Sequence, residues 1–175
     1  MVPKPMGRSH MLFRLASYLK FLLCSTDQHG LHSPFVYSYA TQCLYTKKMH
    51  GDKTVDVLLG SIGFFKVETL HFSGDGPLKK TVEGHYPHLQ FDRYPLDLFF
   101  TDRLEVPEFH SLLSMGRLHN DSMVLVDNIH GNPENQRTWN ALTALPQIRV
   151  SIDLFHCGAL FIRREQEKEH FFIRI

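Results

Sequence analysis

Apolar residues recur along this chain with two periods, and the switches between them lay out its elements. Residues 9–24 place Met11, Leu12, Leu15, Tyr18, Leu19, Leu22 and Leu23 on one helical face, with Arg14, Ser17 and Lys20 elsewhere. Ser33-Pro34 then marks a helix start, since serine caps and proline at the first helical position needs no donor. That helix runs to about Tyr45. Residues 46–54 are polar, hold Gly51 and read as a linker; 55–65 is apolar at helical spacing. From there short apolar runs alternate with helical ones. Strands are expected at 67–72, 88–91, 96–101 and 122–127. Helices are expected at 78–84 and 105–118, and from Asn132-Pro133 to the stop at Pro146. Three further strands, 150–155, 159–163 and 171–175, close the chain, the first two paired antiparallel through His156-Cys157-Gly158.

Alternating strands and helices with an antiparallel end predict an open α/β sheet with a mixed edge. The chain has 175 residues, enough for one sizeable core. A formal net charge of +1 gives no field that would draw nucleic acid or an anionic membrane, and neither is expected as a partner. The apolar stretch 11–23 is interrupted by Arg14, Ser17 and Lys20 and is too short and polar to span a bilayer. Cys24, Cys43 and Cys157 are scattered among apolar residues and read as reduced core thiols of a cytoplasmic protein.

The chemistry concentrates where two strands end. Leu96-Asp97-Leu98-Phe99-Phe100-Thr101-Asp102 and Ser122-Met123-Val124-Leu125-Val126-Asp127-Asn128 are each a short apolar run closed by a carboxylate, and the second adds an amide. Buried parallel strands read this way, and ligands gather at their carboxyl ends. Adjacent strands would set Asp102, Asp127 and Asn128 side by side, an oxygen-donor set suited to Mg²⁺ or a similar divalent cation. Each has a second reading: Asp127 as a cap on Asn128-Ile129-His130, and Asp102 as a partner of Arg103 or Arg117.

Two segments carry a family resemblance. His29-Gly30-Leu31-His32-Ser33-Pro34-Phe35 is one. The other is the closing third, from Asn120 through Asp127-Asn128-Ile129-His130, then Ser151-Ile152-Asp153-Leu154-Phe155, Gly158 and Lys168-Glu169-His170-Phe171. Over 10–46 and 96–175 the chain resembles the class I S-adenosylmethionine-dependent methyltransferases, in a bacterial branch marked by His-Gly-x-His-Ser-Pro-Phe. The resemblance implies a Rossmann-like fold, a mostly parallel seven-stranded sheet with its last strand inserted antiparallel. It implies an N-terminal helical segment over 1–50 packed on a methyltransferase-like domain over 51–175. It also implies a glycine-rich acidic cofactor loop after the first strand, which falls on Ser73-Gly74-Asp75-Gly76, with His71 where an acidic residue is expected. Asp92 takes the place of the ribose-binding carboxylate, or is a solvated residue before a turn.

In metal-dependent catechol-type relatives an Asp follows the fourth strand and an Asp-Asn pair the fifth, the places of Asp102, Asp127 and Asn128. The cation there lowers the pKa of an acceptor hydroxyl. Their general-base lysine has no counterpart in Arg103-Leu104-Glu105, which leaves His130 as the candidate catalytic base. Only Arg93-Tyr94-Pro95 separates the second strand from the third, so at least one βα unit of the family is expected to be missing. The expected function is methyl transfer from S-adenosylmethionine to a small hydroxylated acceptor, weak or lost. The alternative is a non-catalytic binding or assembly module, with a homodimer formed across the sheet edge near 88–95.

Overall fold

The structure, a computed structural model, describes residues 8–26, 32–46, 50–73 and 76–175. His29, Gly30, Leu31, Gly74 and Asp75 lie outside them. The helices are α1 (Arg8–Cys24), α2 (Pro34–Tyr39), α3 (Lys53–Phe65), α4 (Pro77–His85), α5 (Val106–Ser114) and α6 (Pro133–Ala144). The strands are β1 (Thr69–Phe72), β2 (Gln90–Phe91), β3 (Leu96–Thr101), β4 (Leu118–Asp127), β5 (Val150–Asp153), β6 (Cys157–Phe161) and β7 (Glu169–Phe172). Ser33 caps α2 as its sequence suggests, and α2 continues as one π-type turn over Ala40–Leu44.

The seven strands form one mixed sheet in the order β2-β1-β3-β4-β6-β5-β7. Every neighbouring pair is parallel except the two made by β6. This corrects one expectation: the antiparallel strand is not at the edge but lies between β4 and β5, and the edge strand β7 is parallel to β5. The β5–β6 turn also falls earlier, at 154–156, so Cys157 and Gly158 belong to β6.

Side chains alternate between two apolar layers. Leu98, Phe100, Met123, Leu125 and Phe161 face α2, α3 and α4, which contribute Tyr39, Leu58, Ile62 and Val82. Phe99, Val124, Val126 and Leu160 face α5 and α6, which contribute Phe109, Trp139 and Leu142. This is the period-two burial of a sheet covered on both faces.

The passage from β2 to β3 has no helix. β2 is two residues long and its Phe91 is level with Leu70, which is level with Leu98. The chain must cross two strand spacings, about 10 Å, and drop back about 7 Å. Residues 92–95 can reach about 16 Å, so four residues suffice. The Asp97 carboxylate anchors the end of this crossing by accepting from the N–H groups of Glu68 and Thr69, both at 2.9 Å. Burial raises the Asp97 pKa, but these N–H bonds, the Thr69 hydroxyl and His119 outweigh it and hold the carboxyl below its usual value.

α1 forms where its periodicity predicts, but its apolar face points outward. It packs through Ser17 and Phe21, and Phe21 meets Phe155 and Phe172. Met11, Leu12, Leu15, Leu19 and Leu23 are all more than half exposed. Cys24 is exposed too, unlike the buried Cys43 and Cys157, and so is no core thiol. None of the described helices is long and apolar enough to cross a membrane.

Gly158 holds α6 against the sheet, because a Cβ at this position would lie 2.3 Å from the Trp139 ring. We expect Gly158→Ala to destabilise the fold by about 1–3 kcal/mol, the usual cost of overpacking a core. Urea unfolding checks this, with Gly84→Ala, where a Cβ meets nothing within 4 Å, as the comparison.

Candidate active site at the carboxyl ends of β3 and β4

Parallel register sets the ends of three strands at one level. Phe72 pairs with Phe100, and Thr101 with Val126, so Ser73, Asp102 and Asp127 leave the sheet on the same edge. A cleft of about 420 Å³ opens there between β3, β4 and α6. Asp102, Asp127 and Asn128 all line it, with Asn132, Asn135 and Trp139 of the α6 side. The three oxygen-bearing residues picked out in the sequence therefore share one cavity.

Asp127 is the half-buried member. Its Oδ1 accepts from the Thr54 hydroxyl at 2.8 Å. Burial raises its pKa above the usual carboxylate value, and the charges of Asp52 and Asp102 raise it further, against the Thr54 and Asn128 hydrogen bonds. Asp52 itself caps α3 by accepting from the Val55 N–H. Asn128 takes a left-handed backbone (φ 54°), and its side chain lies flat on Gly131, where a Cβ would come within 2.4 Å of both amide heteroatoms. Its N–H donates to the His156 carbonyl and its own carbonyl accepts from Asn135 Nδ2. Asp102 is exposed, and it pairs with neither suggested arginine: Arg103 goes to Glu105 and Glu134, and Arg117 to Tyr94.

By type these donors suit a hard divalent cation. Among the described residues, no group of three or more His, Cys, Asp and Glu side chains is placed to hold an ion. Two carboxylates and an amide fit Mg²⁺, which keeps much of its water and takes one or two protein carboxylates. They do not fit the nitrogen and sulfur donors of a structural zinc site.

His130 is placed elsewhere. It does not line the cleft, is 6% exposed, and stacks on Phe155 with ring centroids 5.1 Å apart. Its Nε2 meets Asp153 Oδ2 at 2.7 Å and its Nδ1 meets Gln136 Nε2 at 3.1 Å. A carboxylate only accepts, so Nε2–H donates to Asp153, and Gln136 faces Nδ1, so both ring nitrogens are engaged. Asp153, 1% exposed, also accepts from the Phe155 N–H. The trio ties the 128–131 turn to β5 and α6.

The nucleoside side is differently built. His71 Nδ1 meets Asp92 Oδ1 at 2.5 Å, and the imidazole stacks on Phe99. Asp92, expected at the ribose, is thus bonded across the ends of β1 and β2 to His71, which stands where the family loop has an acidic residue. Ser73 donates its N–H to the Phe100 carbonyl, and Gly76 precedes α4 without a side-chain cap. No residue of β1 or β2 lines the cleft.

Thr54 and Asp52 were not recognised as site residues from the pattern of the chain, because 46–54 reads as a linker. The available signal was Asp52 three residues before Val55, the spacing of a helix cap. No protein-family model matches this chain, and no curated protein does either.

The raised Asp127 pKa has a definite sign. A carboxyl whose folded pKa exceeds its unfolded one contributes full stability at low pH and loses it as pH rises through the folded value. Asp127→Asn keeps the Thr54 hydrogen bond and removes the charge. We expect the variant to be more stable than the parent at pH 7, with the gain vanishing below the ordinary carboxylate range, about pH 4. Urea unfolding at both pH values measures it. For His130→Ala, which strands the buried Asp153, a loss of about 3–5 kcal/mol is expected.

Proposed function

We propose that this chain is a diverged methyltransferase-like protein that keeps the acceptor-and-cation half of its site and has a reduced nucleoside half. The observation that carries the reading is the convergence of Asp102, Asp127 and Asn128 in one cleft at the ends of adjacent parallel strands. Ligands of open α/β sheets bind there. The resemblance over 10–46 and 96–175 and the inserted antiparallel β6 agree with a Rossmann-like methyltransferase fold. The helix-free β2–β3 passage agrees with a missing βα unit.

In this reading Asp102, Asp127 and Asn128 hold Mg²⁺, and an acceptor with neighbouring hydroxyls occupies the remaining cleft. A bound divalent cation supplies Lewis acidity that eases deprotonation of such a hydroxyl. The carboxylates around Asp127 repel one another, and a cation would relieve that repulsion.

Two features support weak or lost transfer from S-adenosylmethionine. Asp92 Oδ1 is already bonded to His71, so one of its two carboxylate oxygens is taken before a ribose arrives. No Lys or His lines the cleft among the described residues, and a His130 with both nitrogens occupied is a poor substitute base.

Titration calorimetry tests the proposal. Mg²⁺ should bind the parent and bind at least about tenfold more weakly to Asp102→Ala and Asp127→Ala, since loss of even an outer-shell partner of a metal ligand costs about that much. S-adenosylhomocysteine should bind weakly, in the millimolar range if at all. Mg²⁺ heat unchanged in both variants would refute the cation site. Micromolar S-adenosylhomocysteine affinity, with methyl transfer to a catechol, would refute the reduced nucleoside half.

A further inference from the structure

The outward face of α1 is the feature that neither the cleft nor the sheet explains. Taken at 100° per residue, Tyr18, Met11, Leu22, Leu15, Leu19, Leu12, Leu23 and Ala16 fill an arc of about 160°, broken only by Arg8, the first residue of the helix. Met11 and Leu12 are each 67% exposed, Leu15 and Leu19 each 55%, and Leu23 88%. Single exposed leucines are ordinary, but a continuous apolar face on one helix marks an interaction surface. The face continues into a groove of about 450 Å³ between α1 and the β5–β6 turn, lined by Met11, Leu15, Tyr18 and Phe155.

Charge decides what covers it. Arg14 and Lys20 stand about 40° beyond the two borders of the arc, one on each side. α1 contains no Asp or Glu, and the sequence has none before Asp27. A second α1 laid against the first would bring these cations together with no carboxylate on either helix to pair them. An anionic lipid surface satisfies both features, because leucines enter the acyl boundary while flanking Lys and Arg reach the headgroups.

We propose that α1 lies flat on anionic lipid membranes through the Met11–Leu15–Leu19–Leu23 face. The expectation of no membrane partner was drawn from overall charge and from the length needed to span a bilayer, and neither measures a helix lying in the interface. The placement also sets the cleft near the lipid. Phe155 of the α1 groove stacks on His130, and the His156 carbonyl accepts from Asn128.

The test is co-sedimentation of the full chain with phosphatidylcholine vesicles, with and without phosphatidylserine, at low and high salt. The parent should bind the anionic vesicles more than about tenfold more tightly than the neutral ones, with binding weakened by salt. The Leu15→Glu/Leu19→Glu variant should remain in the supernatant. So should Arg14→Glu/Lys20→Glu on anionic vesicles, and this variant leaves the apolar arc untouched should the first fail to fold. A folded parent that sediments with neither vesicle overturns the proposal. So does a parent dimer in light scattering that Leu15→Glu/Leu19→Glu converts to monomer without any vesicle binding, which would assign the face to a second copy of the chain.

Discussion

Close packing of side chains onto glycines holds the cleft in shape. Trp139 lies directly on Gly158 of β6, and Asn128 lies directly on Gly131. The first contact seats α6 on the sheet; the second folds the turn that follows β4 back on itself. Gly158 pairs with Val126 on one side and Asp153 on the other, so the Trp139 contact sits where β4, β6 and β5 meet. Behind it the buried His130–Asp153 pair closes the same corner. A larger residue at Gly158 would push Trp139 and α6 outward, and one at Gly131 would drive into the Asn128 amide.

With that corner fixed, the two halves of the carboxyl edge diverge. The β3–β4 half is open, acidic and lined with amides. Its central carboxylate is desolvated and crowded by like charge, a costly arrangement that purely structural residues seldom keep. In the β1–β2 half His71 and Asp92 are bonded to each other, and β2 is two residues long. A strand that short exposes few ladder groups, which protects the edge from pairing with another chain. The function proposed above reads this asymmetry as an acceptor side kept without a full nucleoside grip.

The strand ends were readable because buried parallel strands leave a strong local pattern. Leu96–Thr101 matches its apolar run, and the polar residues after β3 and β4 fall in the cleft as that pattern implies. Segments shaped by distant contacts were not readable. The start of β4 at Leu118 depends on pairing with Leu96 across an irregular register, and no local signal separates it from the end of α5. His130 resembles a catalytic base in sequence because nothing nearby announces Asp153 or Gln136 as its partners. Thr54 lies 73 residues from the Asp127 it contacts. The α1 periodicity was correct, yet periodicity locates an apolar face without saying whether protein covers it.

Amide chemical-shift mapping of the whole chain by NMR, with Mg²⁺ and S-adenosylhomocysteine added in turn, tests most directly whether binding has concentrated in the β3–β4 cleft. The account predicts that Mg²⁺ shifts signals of residues 101–105 and 126–135, and that S-adenosylhomocysteine leaves 69–73 and 90–93 nearly unmoved. Strong shifts at 69–73 and 90–93 with a silent β3–β4 cleft would contradict it.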